Sequence, residues 1–83
     1  MISIKLFAYL AEIVDRAEIQ IEVPAPVITP EDIKAQVAKA YPAIADYMKT
    51  VRFAVDQVFV SDDLNINTTQ THEYALIPPV SGG

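Results

Sequence analysis

The 83-residue chain has no cysteine, no tryptophan, one histidine, and two glycines that both stand at its last two positions. Without cysteine it has neither a disulfide staple nor a thiolate metal site, which fits a cytoplasmic location. Cations are also scarce. Six Lys and Arg against eleven Asp and Glu give a net charge of −5, a balance that repels nucleic acid and anionic lipid and suits a protein partner with a basic surface. No run approaches the roughly 20 apolar residues of a membrane span. The opening MISIKLFAYLAEIV carries Lys5 and Glu12 and lacks a basic leader, so a signal peptide is not expected. There is no glycine-rich phosphate loop and no internal catalytic constellation. No bound cofactor or metal is therefore expected, and any ATP used would be held by a partner.

What is present suffices for a small core. The apolar share is 52% and the charged share 20%, which argues for one folded domain over 1–83 and against disorder. ISIKL alternates, with Ile2, Ile4 and Leu6 on one face. Leu10, Ile13 and Val14 then suggest two helical turns. EIQIEV alternates again, with Ile19, Ile21 and Val23 inward, until Pro24 and Pro26 end it. Thr29 caps a main helix that has Pro30 at its first position and Glu31 and Asp32 in its first turn. Ile33, Val37, Ala40 and Tyr41 form its stripe, Pro42 stops it, and AIADYMK adds another turn or two with Ile44, Tyr47 and Met48 on one side.

VRFAV and VFV read as strands joined at Asp56-Gln57, with Val51, Phe53 and Val55 alternating with Arg52 and Ala54. SDDLNINTTQT is a polar loop in which Leu64 and Ile66 can tuck onto the core. HEYALI is the last strand, with Tyr74 and Leu76 on one face and Ala75 and Ile77 on the other. The order is strand, helix, strand, helix, strand, strand, strand, an α+β domain.

That strand runs into Pro78-Pro79, which cannot donate ladder hydrogen bonds and hold the backbone extended. Val80, Ser81, Gly82 and Gly83 then protrude, so residues 78–83 form a tail. A frayed terminus is the plain reading. The chemical one is activation of the terminal carboxylate, for instance by adenylation, inside a narrow channel of another protein. Glycine has no Cβ to block the channel or the attack on its carbonyl.

With KLFAYLAEIV, FAVDQVFVS and EYALIPPVSGG in place, nearly the whole chain resembles the small subunits of molybdopterin synthase. These are sulfur carriers with the ubiquitin-like β-grasp fold. The resemblance implies a mixed sheet of about five strands on one main helix, with a short second helix. It also implies a mechanism: an E1-like adenylyltransferase uses ATP to adenylate Gly83, and sulfur replaces AMP to leave a thiocarboxylate. The large subunit of the synthase takes up the tail (Pro78, Pro79, Val80, Ser81, Gly82, Gly83), and the sulfur passes to a cyclic pyranopterin precursor. Two small and two large subunits would make a heterotetramer. Phe7, Phe59 and Ile77 fall where such carriers place an apolar patch beside the tail, used against both partners. The alternative for Phe7 and Phe59 is ordinary core.

The chain departs from the family pattern at three places. Val55-Asp56-Gln57 stands for Val-Asn-Gln, Thr71-His72-Glu73 for an acidic Gly-Asp-Glu, and Ala11 for a basic residue. These bear on which large subunit and activating enzyme would fit. Two other functions share the Gly-Gly end: a ubiquitin-like modifier that forms isopeptide bonds, and a carrier for another, thiamin-type sulfur pathway. A plain binding module is a third reading. His72 reads as a solvated loop residue and Asp62-Asp63 as solvated turn residues. Ser81, with no histidine base in view, is not expected to be a nucleophile.

Overall fold

The computed structural model describes residues 1–79. Strand β1 (Ile2–Leu6) is followed by helix α1 (Tyr9–Val14), β2 (Glu18–Ile21), β3 (Val27–Ile28), helix α2 (Pro30–Ala40) and a 3-10 helix (Pro42–Lys49). Strands β4 (Arg52–Val55), β5 (Val58–Val60), β6 (Ile66–Asn67) and β7 (Tyr74–Ile77) complete the order. Five strands form one mixed sheet in the order β2-β1-β7-β4-β5, and β3 and β6 pair separately. Strands β1 and β7 lie parallel at its centre, while β2, β4 and β5 join antiparallel. This is the α+β, ubiquitin-like β-grasp architecture.

Alternation decides which face of the sheet is covered. Ile4, Leu6, Ile19, Ile21, Phe53, Tyr74 and Leu76 are buried on one face, where they meet Ile33 and Val37 of α2, Ile44 and Met48 of the 3-10 helix, and Leu10 of α1. Helix α2 starts where its sequence says it must. The Asp32 amide donates to the Thr29 hydroxyl at 3.2 Å, and Pro30 occupies the first turn. Its stripe is narrower than expected, because Ala40 is exposed and Tyr41 only half-buried. Ile13 of α1 and Leu64 are likewise exposed, so Leu10 alone anchors α1 fully, and Ile66 alone tucks in from its loop. Tyr47 lies at the surface against Tyr9, their ring centroids 5.1 Å apart.

The β3–β6 pair was not expected, since two residues are too few to show a period. It pairs Val27 with Asn67 and Ile28 with Ile66. The Pro26 carbonyl extends it, accepting from both the amide and the hydroxyl of Thr68 at 2.8 Å. The β4–β5 connection is as expected. Asp56 and Gln57 have φ of 52° and 68°, the two positive values that a tight hairpin turn with the right twist requires.

The two readings of solvated residues fare differently. Asp62 is an exposed turn residue as expected, with 59% of its side chain exposed, and its carboxylate also accepts from the ammonium of Lys34 at 2.9 Å. Lys34 is itself 93% buried, and it also donates to the Val51 carbonyl at 2.8 Å. A buried ammonium needs such partners, and here they tie α2 to the start of β4 and to the 61–64 loop. His72 is only partly exposed, and its Nδ1 lies 2.8 Å from a carboxylate oxygen of Asp56.

Candidate functional site

The second face of the five-stranded sheet carries no helix, and pleat and register dictate what it presents. Cross-strand pairs on it are Lys5 with Glu18, Lys5 with Ala75, Ala75 with Ala54, Ala54 with Phe59, and Ile77 with Arg52. Toward β2 the face is polar. Gln20 donates to the Ser3 hydroxyl at 2.7 Å, and Lys5 pairs with Glu73 at 3.3 Å.

Toward the end of β7 the face turns apolar. Phe59 is 45% exposed and Ile77 half-buried beside Arg52. Phe7 follows β1 by one residue and is 46% exposed. The parallel register of β1 and β7 ends with Leu6 beside Leu76, the residues that precede Phe7 and Ile77. Phe7 and Phe59 are therefore not core, which sets aside the alternative considered for them. Ala54 and Ala75 stand between the larger side chains on this face and are buried because they are short.

The chain leaves the sheet at this apolar end. Pro78 is buried against the fold and Pro79 is exposed. Val80, Ser81, Gly82 and Gly83 lie outside the described residues. The structure thus places Ile77 and Phe59 on the open face with Arg52, sets Phe7 just past the end of β1 beside β7, and continues Pro78 and Pro79 from the end of β7.

One member of this patch escaped the sequence reading. The guanidinium of Arg52 lies over the Phe59 ring, 3.9 Å from its centroid, well inside cation–π range. The signal was available. A two-residue turn at Asp56-Gln57 pairs Ala54 with Phe59, which leaves Arg52 on the adjacent diagonal of the same face.

At the opposite end of β4 and β7 a polar clasp holds the hairpin. The Asp56 carboxylate accepts from the Glu73 amide at 2.9 Å and meets His72, while the Asp56 amide donates to the Glu73 carbonyl at 2.8 Å. The Glu73 amide first, and His72 second, hold the Asp56 carboxyl below its ordinary value of 3.8. Burial pushes the Tyr74 hydroxyl up, with the Asp56 charge adding to it, and that hydroxyl has no hydrogen-bond partner among the described residues. Also among the described residues, no three His, Cys, Asp or Glu side chains come together as a metal site. No helix there is long and apolar enough to cross a membrane. A shallow depression of about 430 Å³, lined by Met1, Gln20, Glu22 and Lys39 among others, lies by the β2 edge, away from the apolar patch. What the open face offers is exposed apolar side chains beside one guanidinium.

Comparison with known proteins adds to this geometry. The model of the ThiS family matches residues 4–83. The molybdopterin synthase sulfur carrier subunit of Dictyostelium discoideum is 34% identical over 81 residues, covering 98% of this chain and 94% of the relative. The protein of the same name from Caenorhabditis elegans is 33% identical over 85 residues, covering both chains fully. Among solved structures, SAMP1 from Haloferax volcanii superimposes with a TM-score of 0.75 at 26% identity, over 98% of this chain and 97% of that one.

Proposed function

The chain belongs to the ThiS family, and from that premise we propose that it is the sulfur carrier subunit of a molybdopterin synthase. The observation that carries this reading is the full-length similarity to proteins named as that subunit, at 34% identity over 98% of the chain. The exposed apolar patch beside the point where the tail leaves the sheet supports it, since a carrier must dock while its terminus reaches into a partner.

In this proposal the small subunit does little chemistry of its own. An E1-like adenylyltransferase joins the Gly83 carboxylate to AMP, with loss of pyrophosphate from ATP. The terminal sulfur of a persulfide donor then displaces AMP to give an acyl disulfide, and a second thiol attacks the donor's inner sulfur, forming a disulfide there and releasing the thiocarboxylate on Gly83. The large subunit receives Gly82 and Gly83 in a channel with no room for a Cβ. There the thiocarboxylate sulfur bonds to a carbon of a cyclic pyranopterin precursor, and water then hydrolyses the acyl–sulfur bond, which returns the Gly83 carboxylate and leaves the sulfur on the pterin, with acid–base chemistry that the large subunit supplies. Phe7, Phe59 and Ile77 anchor the docked face, Pro78 and Pro79 keep the tail extended, and two carriers serve a dimer of large subunits.

Intact mass spectrometry after incubation with a molybdopterin-type activating enzyme, ATP and a sulfur donor tests this. The expected result is a mass gain equal to exchange of one oxygen for sulfur, absent from a chain lacking Gly83. An unchanged mass with an enzyme that charges its own carrier would remove the proposal.

A second reading has its own support, because SAMP1, which superimposes here, is a small archaeal modifier protein. A modifier would use the same activated Gly83 to acylate lysines. Conjugates of higher mass in cell lysate, lost on deletion of Gly83, would favour it.

A further inference from the structure

Arg52 is set apart from the other cations by what its charge rests on. Among the described residues no carboxylate lies within ion-pair distance of Arg52, which is equally true of Arg16, Lys39 and Lys49. Its guanidinium rests on the Phe59 ring instead, and none of its N–H groups is donated to another described side chain or to a backbone carbonyl through its side chain. Stacking leaves the edges of the planar guanidinium available, and those edges match a carboxylate bidentately. Stacking also fixes the side chain, so less rotamer freedom remains to be lost on binding. Around it stand Phe59, Ile77 and the buried Ala54, which would exclude water from an ion pair formed there.

From this arrangement we infer that Arg52 is the polar anchor of the docking face, and that the face takes a protein surface presenting one carboxylate within an apolar rim. The occupant follows from charge. One arginine on a chain of net charge −5 cannot hold a nucleic acid or an anionic membrane. A single acidic side chain in an apolar surface complements it. The inference rests on the carrier reading, and the occupant is the large subunit of the synthase.

The test is calorimetric titration of the large subunit from the same genome with the wild-type chain, Arg52→Lys, Arg52→Met and Arg52→Glu, at low and high salt. Thermal melts of each variant verify folding, which an exposed position should preserve. Arg52→Met keeps most of the apolar stem and should weaken binding by about 30-fold or more, with Arg52→Glu weaker still and Arg52→Lys between. Wild-type affinity should fall with salt, and that dependence should flatten in Arg52→Met. Equal affinity and equal salt dependence for wild type and Arg52→Met would overturn the inference and leave the carrier reading standing. A wild-type chain that neither binds nor acquires sulfur would overturn both. Self-association of the wild-type chain, abolished by Arg52→Glu, would show that a second copy is the occupant and would overturn the assignment to the large subunit.

Discussion

The two faces of the central sheet use the same residue types for opposite ends. On the covered face Phe53 is 1% exposed and Leu76 fully buried; on the open face Phe59 is 45% exposed and Ile77 half-buried. Ile77 follows Leu76 directly, and only the pleat separates their fates. The difference teaches that hydrophobicity alone does not assign a residue to the core. A helix must cover the face, and here α2, α1 and the 3-10 helix cover one face only. What remains open is apolar at one end, and the chain leaves the sheet at that end.

Substitution of the two phenylalanines should break this symmetry most clearly. Phe53→Ala should cost about 3–5 kcal/mol of folding stability, measured by urea unfolding. That is a large part of what so small a fold has. Phe59→Ala should cost less than about 1 kcal/mol while lowering affinity for the large subunit by at least about tenfold. Equal stability losses would erase the distinction between the faces.

Beneath the covered face, Lys34→Ala should cost about 1–3 kcal/mol, because the Val51 carbonyl loses its ammonium donor. Asp62→Asn should cost less, since the Asp62 side chain is 59% exposed and water can replace its partner. At the hairpin between β4 and β5, Gln57→Gly should stabilise the fold by about 1 kcal/mol, relieving a positive φ of 68°.

The smallest effect concerns Asp56. Its carboxyl titrates lower in the folded chain than at its ordinary value of 3.8. Its contribution is therefore present above the unfolded value and lost as the pH falls through the folded one. Asp56→Asn should be less stable than wild type at neutral pH, and the gap should close in acid, as urea midpoints across pH would show.

Much of this was legible in the residues. Strict alternation in ISIKL and EIQIEV marked β1 and β2, and Thr29-Pro30 marked the start of α2 to the residue. Asp56-Gln57 marked the hairpin turn. The β3–β6 pair was illegible because its partners lie 38 and 40 residues apart and are too short for a pattern; the register alone joins Ile28 to Ile66 and Val27 to Asn67. The Lys34–Asp62 contact was hidden for the same reason, since a lysine beside an apolar stripe reads as solvated until the fold closes over it. At the candidate site the sequence named Phe7, Phe59 and Ile77 through resemblance, with core as the alternative for the two aromatics. Deciding required knowing which face the helices cover. Arg52 was overlooked because a charge on a strand reads as the wet side of an alternation, whereas here it caps an aromatic ring.

The most direct test of the central claim is discharge of the loaded tail. The chain carrying a thiocarboxylate at Gly83 would be mixed with the large subunit and a cyclic pyranopterin precursor, and both protein and pterin followed by mass spectrometry. The account expects the chain to return to the mass of its carboxylate form as sulfur appears on the pterin. A chain that stays charged, or that ends joined to a lysine of the large subunit with the pterin unchanged, would contradict it.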